Sequence, residues 1–180
     1  MLLADAFPPF GLRIEAGPLV LRPITDDVLP DLIRVALGGV HDPADMPFYY
    51  PWTDAPADRL PLEFAQYHWR TRAGWSREAW TLEFAVEYNG EIVGIQGIGT
   101  RDYPITRTGE TGSWLGLAHH GRGIGTRMRQ AICAFVFDEL GASRSPPVRS
   151  PTTRHPSRSA GRSASSPTAP PGSLDAVLPP

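Results

Sequence analysis

The chain has 180 residues, 41% of them hydrophobic and 20% charged, with a formal charge of -2. That length suits one domain with enough chain for a core, and the charge balance argues against nucleic acid or a membrane as obligatory partner. Cys133 is the only cysteine, which excludes a disulfide framework and fits an intracellular, reducing, cytoplasmic setting. Asp5 and the prolines after it interrupt the apolar run that a signal peptide needs. No stretch approaches the length of a membrane span.

In chain order, Pro18 to Pro23 (PLVLRP) reads as a first strand. Thr25, Asp26 and Asp27 supply capping side chains for a helix whose apolar face is Val28, Leu29, Leu32, Ile33, Val35 and Ala36. Gly38 and Gly39 stop it. A loop dense in Pro, Asp and aromatics follows, HDPADMPFYYPWTDAP. A second helix is expected over 58–72 and an alternating strand over 80–88. Asn89-Gly90 is a hairpin signal, with EIVGIQGIGT as the return strand. A further strand is read over 110–117. Gly121 to Gly123 then open a helix that ends near Leu140, with Gly141 as its C-cap. The expected order is β-α-α-β-β-β-α.

Composition changes sharply at Ala142. Residues 143–173 hold nine Ser, seven Pro and five Arg, with no Asp, Glu, Phe, Trp or Tyr, and only Val148 as a large aliphatic. Such a segment cannot bury enough apolar surface to offset its chain entropy, so 143–180 is expected to be a disordered tail. Residues 1–17 are read as an N-terminal extension and 18–142 as the domain.

The turn His119-His120-Gly121-Arg122-Gly123-Ile124-Gly125 follows a strand and opens a helix. The first amides of a helix have no intrahelical partner, and the helix dipole puts partial positive charge there. Glycines remove the Cβ atoms that would hold an anion off the backbone, so the arrangement suits a phosphate or pyrophosphate. It is not a P-loop, because Gly125 is followed by Thr126 and Arg127 rather than Lys-Ser/Thr. Nor is it the dinucleotide fingerprint, which needs glycine at Thr126 and a following strand with an acidic residue. A kinase glycine loop would have strands on both sides.

The turn resembles the pyrophosphate loop of the GCN5-related N-acetyltransferases, Gln/Arg-x-x-Gly-x-Gly/Ala. His120 stands where Gln or Arg is usual. The resemblance extends to LRPITDDVL, the hairpin FAVEYNGEIVGIQGI and the strand ETGSWLGL, and covers residues 19–142 in the manner of the branch that contains ribosomal-protein N-terminal acetyltransferases. It implies the GNAT fold, an α/β (α+β) architecture with a mixed, mostly antiparallel sheet flanked by helices. It also implies an acetyl-CoA-dependent N-acetyltransferase that passes the acetyl group to a primary amine by direct attack in a ternary complex. By resemblance, His120, Gly121, Arg122, Gly123, Ile124, Gly125 and Thr126 hold the pyrophosphate. The backbone of Trp114, Leu115, Gly116 and Leu117 pairs with the pantetheine arm like an added strand. A backbone amide there polarises the thioester carbonyl. The acceptor is a small molecule or a protein N-terminus, and the chain acts as a monomer or homodimer.

For proton removal the family often carries a glutamate where Glu110 stands, and Ser113 could hold a water; an ordinary strand-end charge and a structural serine are the competing readings. His119 and His120 point apart and lack companions, so no metal is expected. Cys133 lies on an apolar helix face and reads as a core residue. The run Phe48-Tyr49-Tyr50-Pro51-Trp52 fits an acceptor pocket or a flap over the core equally well. A non-catalytic acyl-CoA-binding or interaction module is the alternative function. A nucleic-acid role for the Arg-rich tail lacks a stacking motif.

The resemblance implies a fifth strand, a fourth helix and closing strands after the third helix. With them would come an Asn that contacts the cofactor and a Tyr or Ser that protonates the leaving thiolate. None is readable after Ala142, so the fold is expected to be incomplete there. Read one base out of phase, residues 148–169 are compatible with AFTDNPASLAVSRKVGFEPNG, the kind of segment this branch carries at that place. A frameshift near 142–144 is the expectation this raises, with a genuine Ser/Pro/Arg-rich tail as its rival. It would impair activity, because one wall of the cofactor cleft is lost.

Overall fold

The computed structural model describes residues 1–143. The tail and its out-of-phase reading lie outside them.

Five strands form one antiparallel sheet in chain order: β1 (Ile14–Ala16), β2 (Leu19–Pro23), β3 (Trp80–Tyr88), β4 (Glu91–Thr100) and β5 (Glu110–Leu115). The helices are α1 (Leu29–Leu37), α2 (Leu60–Ala73) and α3 (Ile124–Asp138), with single helical turns at Leu3–Ala6 and Tyr103–Thr106. This is the helix-flanked α/β architecture expected from the sequence, with every described strand pairing antiparallel. No described helix is long and apolar enough to cross a membrane.

The period-two pattern of β3 divides the core. Phe84 and Val86 face α3 and join Leu19, Leu21, Ile98, Ile124, Met128 and Ile132. Ala85 faces the other way and joins Ile95, Val28, Leu32, Leu60 and Phe64 beneath α1 and α2. Each large aliphatic or aromatic side chain buried here contributes roughly 1.5–3 kcal/mol. Cys133 packs at the margin of the α3 cluster, as a small apolar group would.

Asn89 (φ 53) and Gly90 (φ 82) both take left-handed conformations, which matches a tight hairpin between β3 and β4. Gly94 has a different reason to be glycine. A Cβ there would run into the carbonyl oxygen of Trp114 on β5. Since β4 is central and its backbone cannot yield without breaking two ladders, Gly94→Ala is expected to lower stability by about 2–3 kcal/mol in urea unfolding.

Three local expectations change. Residues 1–17 are more than an extension, because Ile14–Ala16 pair with Leu19–Leu21 and make the sheet edge, turning at Gly17. Helix α1 begins at Leu29 with Val28 as its cap and no capping side chain. Thr25 to Asp27 instead form a turn, and the Asp26 carboxylate accepts from Trp69 Nε1 and Arg72, tying that turn to α2. Those donors hold the Asp26 carboxyl below its usual range. The last strand stops at Leu115 rather than Leu117, where the chain curls into a helical turn, Leu117–His119.

Candidate functional site: a glycine loop and an acidic cleft

The glycine loop sits where β5 hands over to α3. Gly121 (φ 72) and Gly123 (φ 73) are both left-handed, and a Cβ on either would meet nothing within 4 Å. Gly123 caps α3 without any side-chain cap bond, so the first amides of a 15-residue helix are left facing open space. Arg122 and Arg127 flank them, both exposed. His120 is the irregular residue of the loop. Its Nε2 lies 2.9 Å from the Leu115 carbonyl, which pins the loop to the end of β5. The loop thus brings the backbone of Gly121, Arg122, Gly123, Ile124, Gly125 and Thr126 to the start of α3, an uncapped helix end that suits an anion.

Beside it, β5 has β4 on one side and no strand on the other among the described residues. The Gly116 amide turns inward to the Val93 carbonyl, and the Leu117 amide donates to Gly39. Alternation along the strand therefore leaves the backbone groups of Ser113 and Leu115 on the free edge. An extended ligand could pair there, close to the loop.

On the α2 side of the sheet lies a cleft of about 1260 Å³. One end is aromatic. Trp52 stacks between Phe48 and Trp114, with ring centroids 5.4 Å from each, and Phe64 closes the group. In the aromatic loop, Phe48 and Trp52 pack on the core, as a flap would, while Tyr49 and Tyr50 stand exposed at the cleft.

Glu110 and Ser113 are not brought together. Glu110 is exposed at the start of β5, on the cleft face opposite Gly99. Thr111 and Ser113 belong to the other face, where Arg129 of α3 donates to both hydroxyls, at 2.7 Å and 3.1 Å. This tether joins α3 to β5. His119 and His120 have no metal-binding cluster around them among the described residues.

A second carboxylate escaped the sequence reading. Glu83 of β3 lies under α2, with its side chain 14% exposed. The Tyr67 hydroxyl donates to its Oε1 at 3.1 Å, and His68 Nδ1 lies 2.8 Å from its Oε2, off line for a hydrogen bond. Glu83 Oε2 and His68 Nε2 are buried without a hydrogen-bond partner among the described residues. A buried polar atom left so costs about 1–3 kcal/mol, so a folded chain keeps few of them. A signal was present in the sequence. His68 continues the inward stripe Leu60-Phe64-Ala65 of α2, and Glu83 takes the same strand face as Ala85.

Burial and the neighbouring Glu83 charge push the Tyr67 phenol up to about 12. Tyr67 therefore stays a donor to Glu83 at neutral pH. A raised acid favours the folded chain below its ordinary pKa, and that advantage fades as pH climbs through the raised value. The melting temperature is expected to fall between pH 10 and 12, and to fall less steeply in Tyr67→Phe.

A helix-flanked antiparallel sheet whose strand β5 feeds a glycine turn and an uncapped helix is an α/β arrangement suited to holding an anion. The chain belongs to the acetyltransferase (GNAT) domain family, whose model matches residues 18–160. That match runs past the compositional break at Ala142. Among solved structures, the fold is similar to Mycobacterium smegmatis RimJ in complex with CoA-disulfide (24% identity, TM-score 0.58, 73% of this chain and 62% of that one). It is also similar to a GCN5-related N-acetyltransferase from Brucella melitensis (23%, TM-score 0.54, 73% and 57%). A third is RimL, a ribosomal L7/L12 alpha-N-protein acetyltransferase, in complex with coenzyme A (17%, TM-score 0.51, 68% and 66%). The chain thus spans a little under two thirds of the RimL and RimJ chains. At these identities the likeness is one of fold.

Proposed function

We propose that the chain is an acetyl-CoA-dependent N-acetyltransferase that acts on a primary amine by direct attack. The observation that carries this reading is the loop Gly121–Gly125. In an acetyltransferase-family chain, two left-handed glycines and unpaired helix amides lie beside the free edge of β5. Gly121 to Thr126 would hold the pyrophosphate of acetyl-CoA through backbone amides, with Arg122 adding charge. The pantetheine arm would lie along Leu115 on the free edge, and an outward amide there would polarise the thioester carbonyl. The acceptor would enter from the cleft on the α2 face. Ser113, bound to Arg129 on the opposite face, serves this scheme through its backbone rather than its hydroxyl. The setting is cytoplasmic, in keeping with the single cysteine. Acetyl-CoA is the co-substrate, and no metal takes part in the scheme.

The test is acetyl transfer from acetyl-CoA to a panel of small primary amines and short peptides with free N-termini, read by product mass. The chain has no lysine, so self-acetylation of side-chain amines cannot mimic turnover. Acetylated product would support the reading. Acetyl-CoA binding with no product from any amine would favour the non-catalytic acyl-CoA-binding module.

A further inference from the structure

Beside the cleft, a buried carboxylate is incompletely partnered among the described residues. Glu83 Oε2 and His68 Nε2 are buried and unpartnered, and no arginine lies within 4.0 Å of Glu83 among the described residues. Both belong to side chains that line the cleft. The floor beside them is bare. Across the ladder, Glu83 stands opposite Gly97 on β4, and Gly97 opposite Gly112 on β5. A Cβ at Gly97 would press on Glu83 Cγ at 3.3 Å, and one at Gly112 would meet nothing within 4 Å. A side-chain-free trough therefore runs from the Glu83 carboxylate to β5, over two strand spacings of about 4.8 Å each. Its neighbouring wall is the Phe64–Trp52–Trp114 cluster.

These features define a guest. The unpartnered Glu83 oxygen calls for an N–H donor, a carboxylate with no arginine against it calls for positive charge, and the wall calls for apolar or aromatic surface. We infer that Glu83, held by Tyr67 and His68, is the acceptor-side carboxylate of the cleft. It receives the ammonium of a primary amine with an apolar or aromatic body and takes its proton. The chemical step, unlike the binding, rests on the acetyl-transfer reading. One N–H proton passes to Glu83, and the freed nitrogen pair forms the C–N bond with the thioester carbonyl carbon. The C–S bond breaks with its electrons going to sulfur, and the second N–H proton leaves the new amide nitrogen and passes through water to the thiolate. Glu83 is better placed for this than Glu110, whose exposed carboxylate water already satisfies.

The test is calorimetric titration of the full chain at pH 7 with benzylammonium, with benzyl alcohol as the uncharged isostere. Saturable benzylammonium binding is expected, at least tenfold weaker in Glu83→Gln and changed less than twofold in Glu87→Gln. Glu87 lies on the same strand face but outside the cleft. Should Glu83→Gln misfold by circular dichroism, Tyr67→Phe gives the second reading, with binding two- to threefold weaker. Absence of saturable benzylammonium binding, unchanged binding in these variants, or equal binding of benzyl alcohol would overturn the assignment. So would loss of binding in Glu110→Gln alone. Titration of the same chain with acetyl-CoA reports separately. Its failure would remove the acetyl-transfer reading and leave a Glu83-dependent amine site standing.

Discussion

Restoring the neighbouring reading frame beyond Ala142 is expected to raise acetyl transfer by roughly 100-fold or more over the 180-residue chain. The size reflects the role that the family resemblance assigns to that part of the fold. By that resemblance it would hold the group that protonates the leaving thiolate, and a positioned acid is worth about 10²–10⁴ in rate. Among the described residues β5 has no strand on its outer side, where a further strand would pair. The nucleotide sequence gives the first check. Codons for 149–169 that encode a DNPAS-like run in the adjacent frame are expected, and their absence would end the frameshift proposal. The second check is the activity ratio of the two purified proteins. Equal turnover would mean that the tail is a genuine part of a working enzyme, as the family match through residue 160 would then suggest.

The second large effect belongs to the loop. Gly123→Val is expected to weaken acetyl-CoA binding about 100-fold. Two terms add. A β-branched residue resists φ 73, which costs about 1–2 kcal/mol, and its side chain would crowd an anion held by the first α3 amides. Losing even one or two charge-assisted bonds to a pyrophosphate, at about 1.5–3 kcal/mol each, accounts for the affinity change. The control is Gly17→Val. Gly17 is also left-handed (φ 63) with open space around it, but lies in the β1–β2 turn. It should cost similar stability and leave acetyl-CoA affinity unchanged. If both variants lose affinity equally, general destabilisation is the cause and the loop has no special part.

These features differ, residue by residue, in how locally the chain encodes them. The strand over 80–88 and the Asn89-Gly90 turn were legible to the residue, because alternation and a left-handed pair are local properties. The glycine loop was legible for the same reason. The start of helix α1 is not encoded locally, because Asp26, a good capping residue, is engaged by Trp69 and Arg72, forty-odd residues away. Strand β1 was missed because three residues carry no period, and its pairing depends on Gly17 turning the chain. The cleft shows the same division. Glu110 could be proposed from its place on a strand, and period two alone puts Ser113 on the opposite face. Glu83 and His68 lie fifteen positions apart on different elements. Only the packing of α2 over β3 makes them neighbours, so no local pattern could have joined them.

The central claim is that residues 121–126 are an acetyl-CoA pyrophosphate loop that works largely through its backbone. Calorimetric titration of acetyl-CoA into the purified 180-residue chain tests it most directly, with Gly123→Val alongside. Saturable one-to-one binding, lost in Gly123→Val and kept in Gly17→Val, is the expected result. A folded chain that takes up no acetyl-CoA, or that binds it equally well with valine at position 123, would contradict the claim.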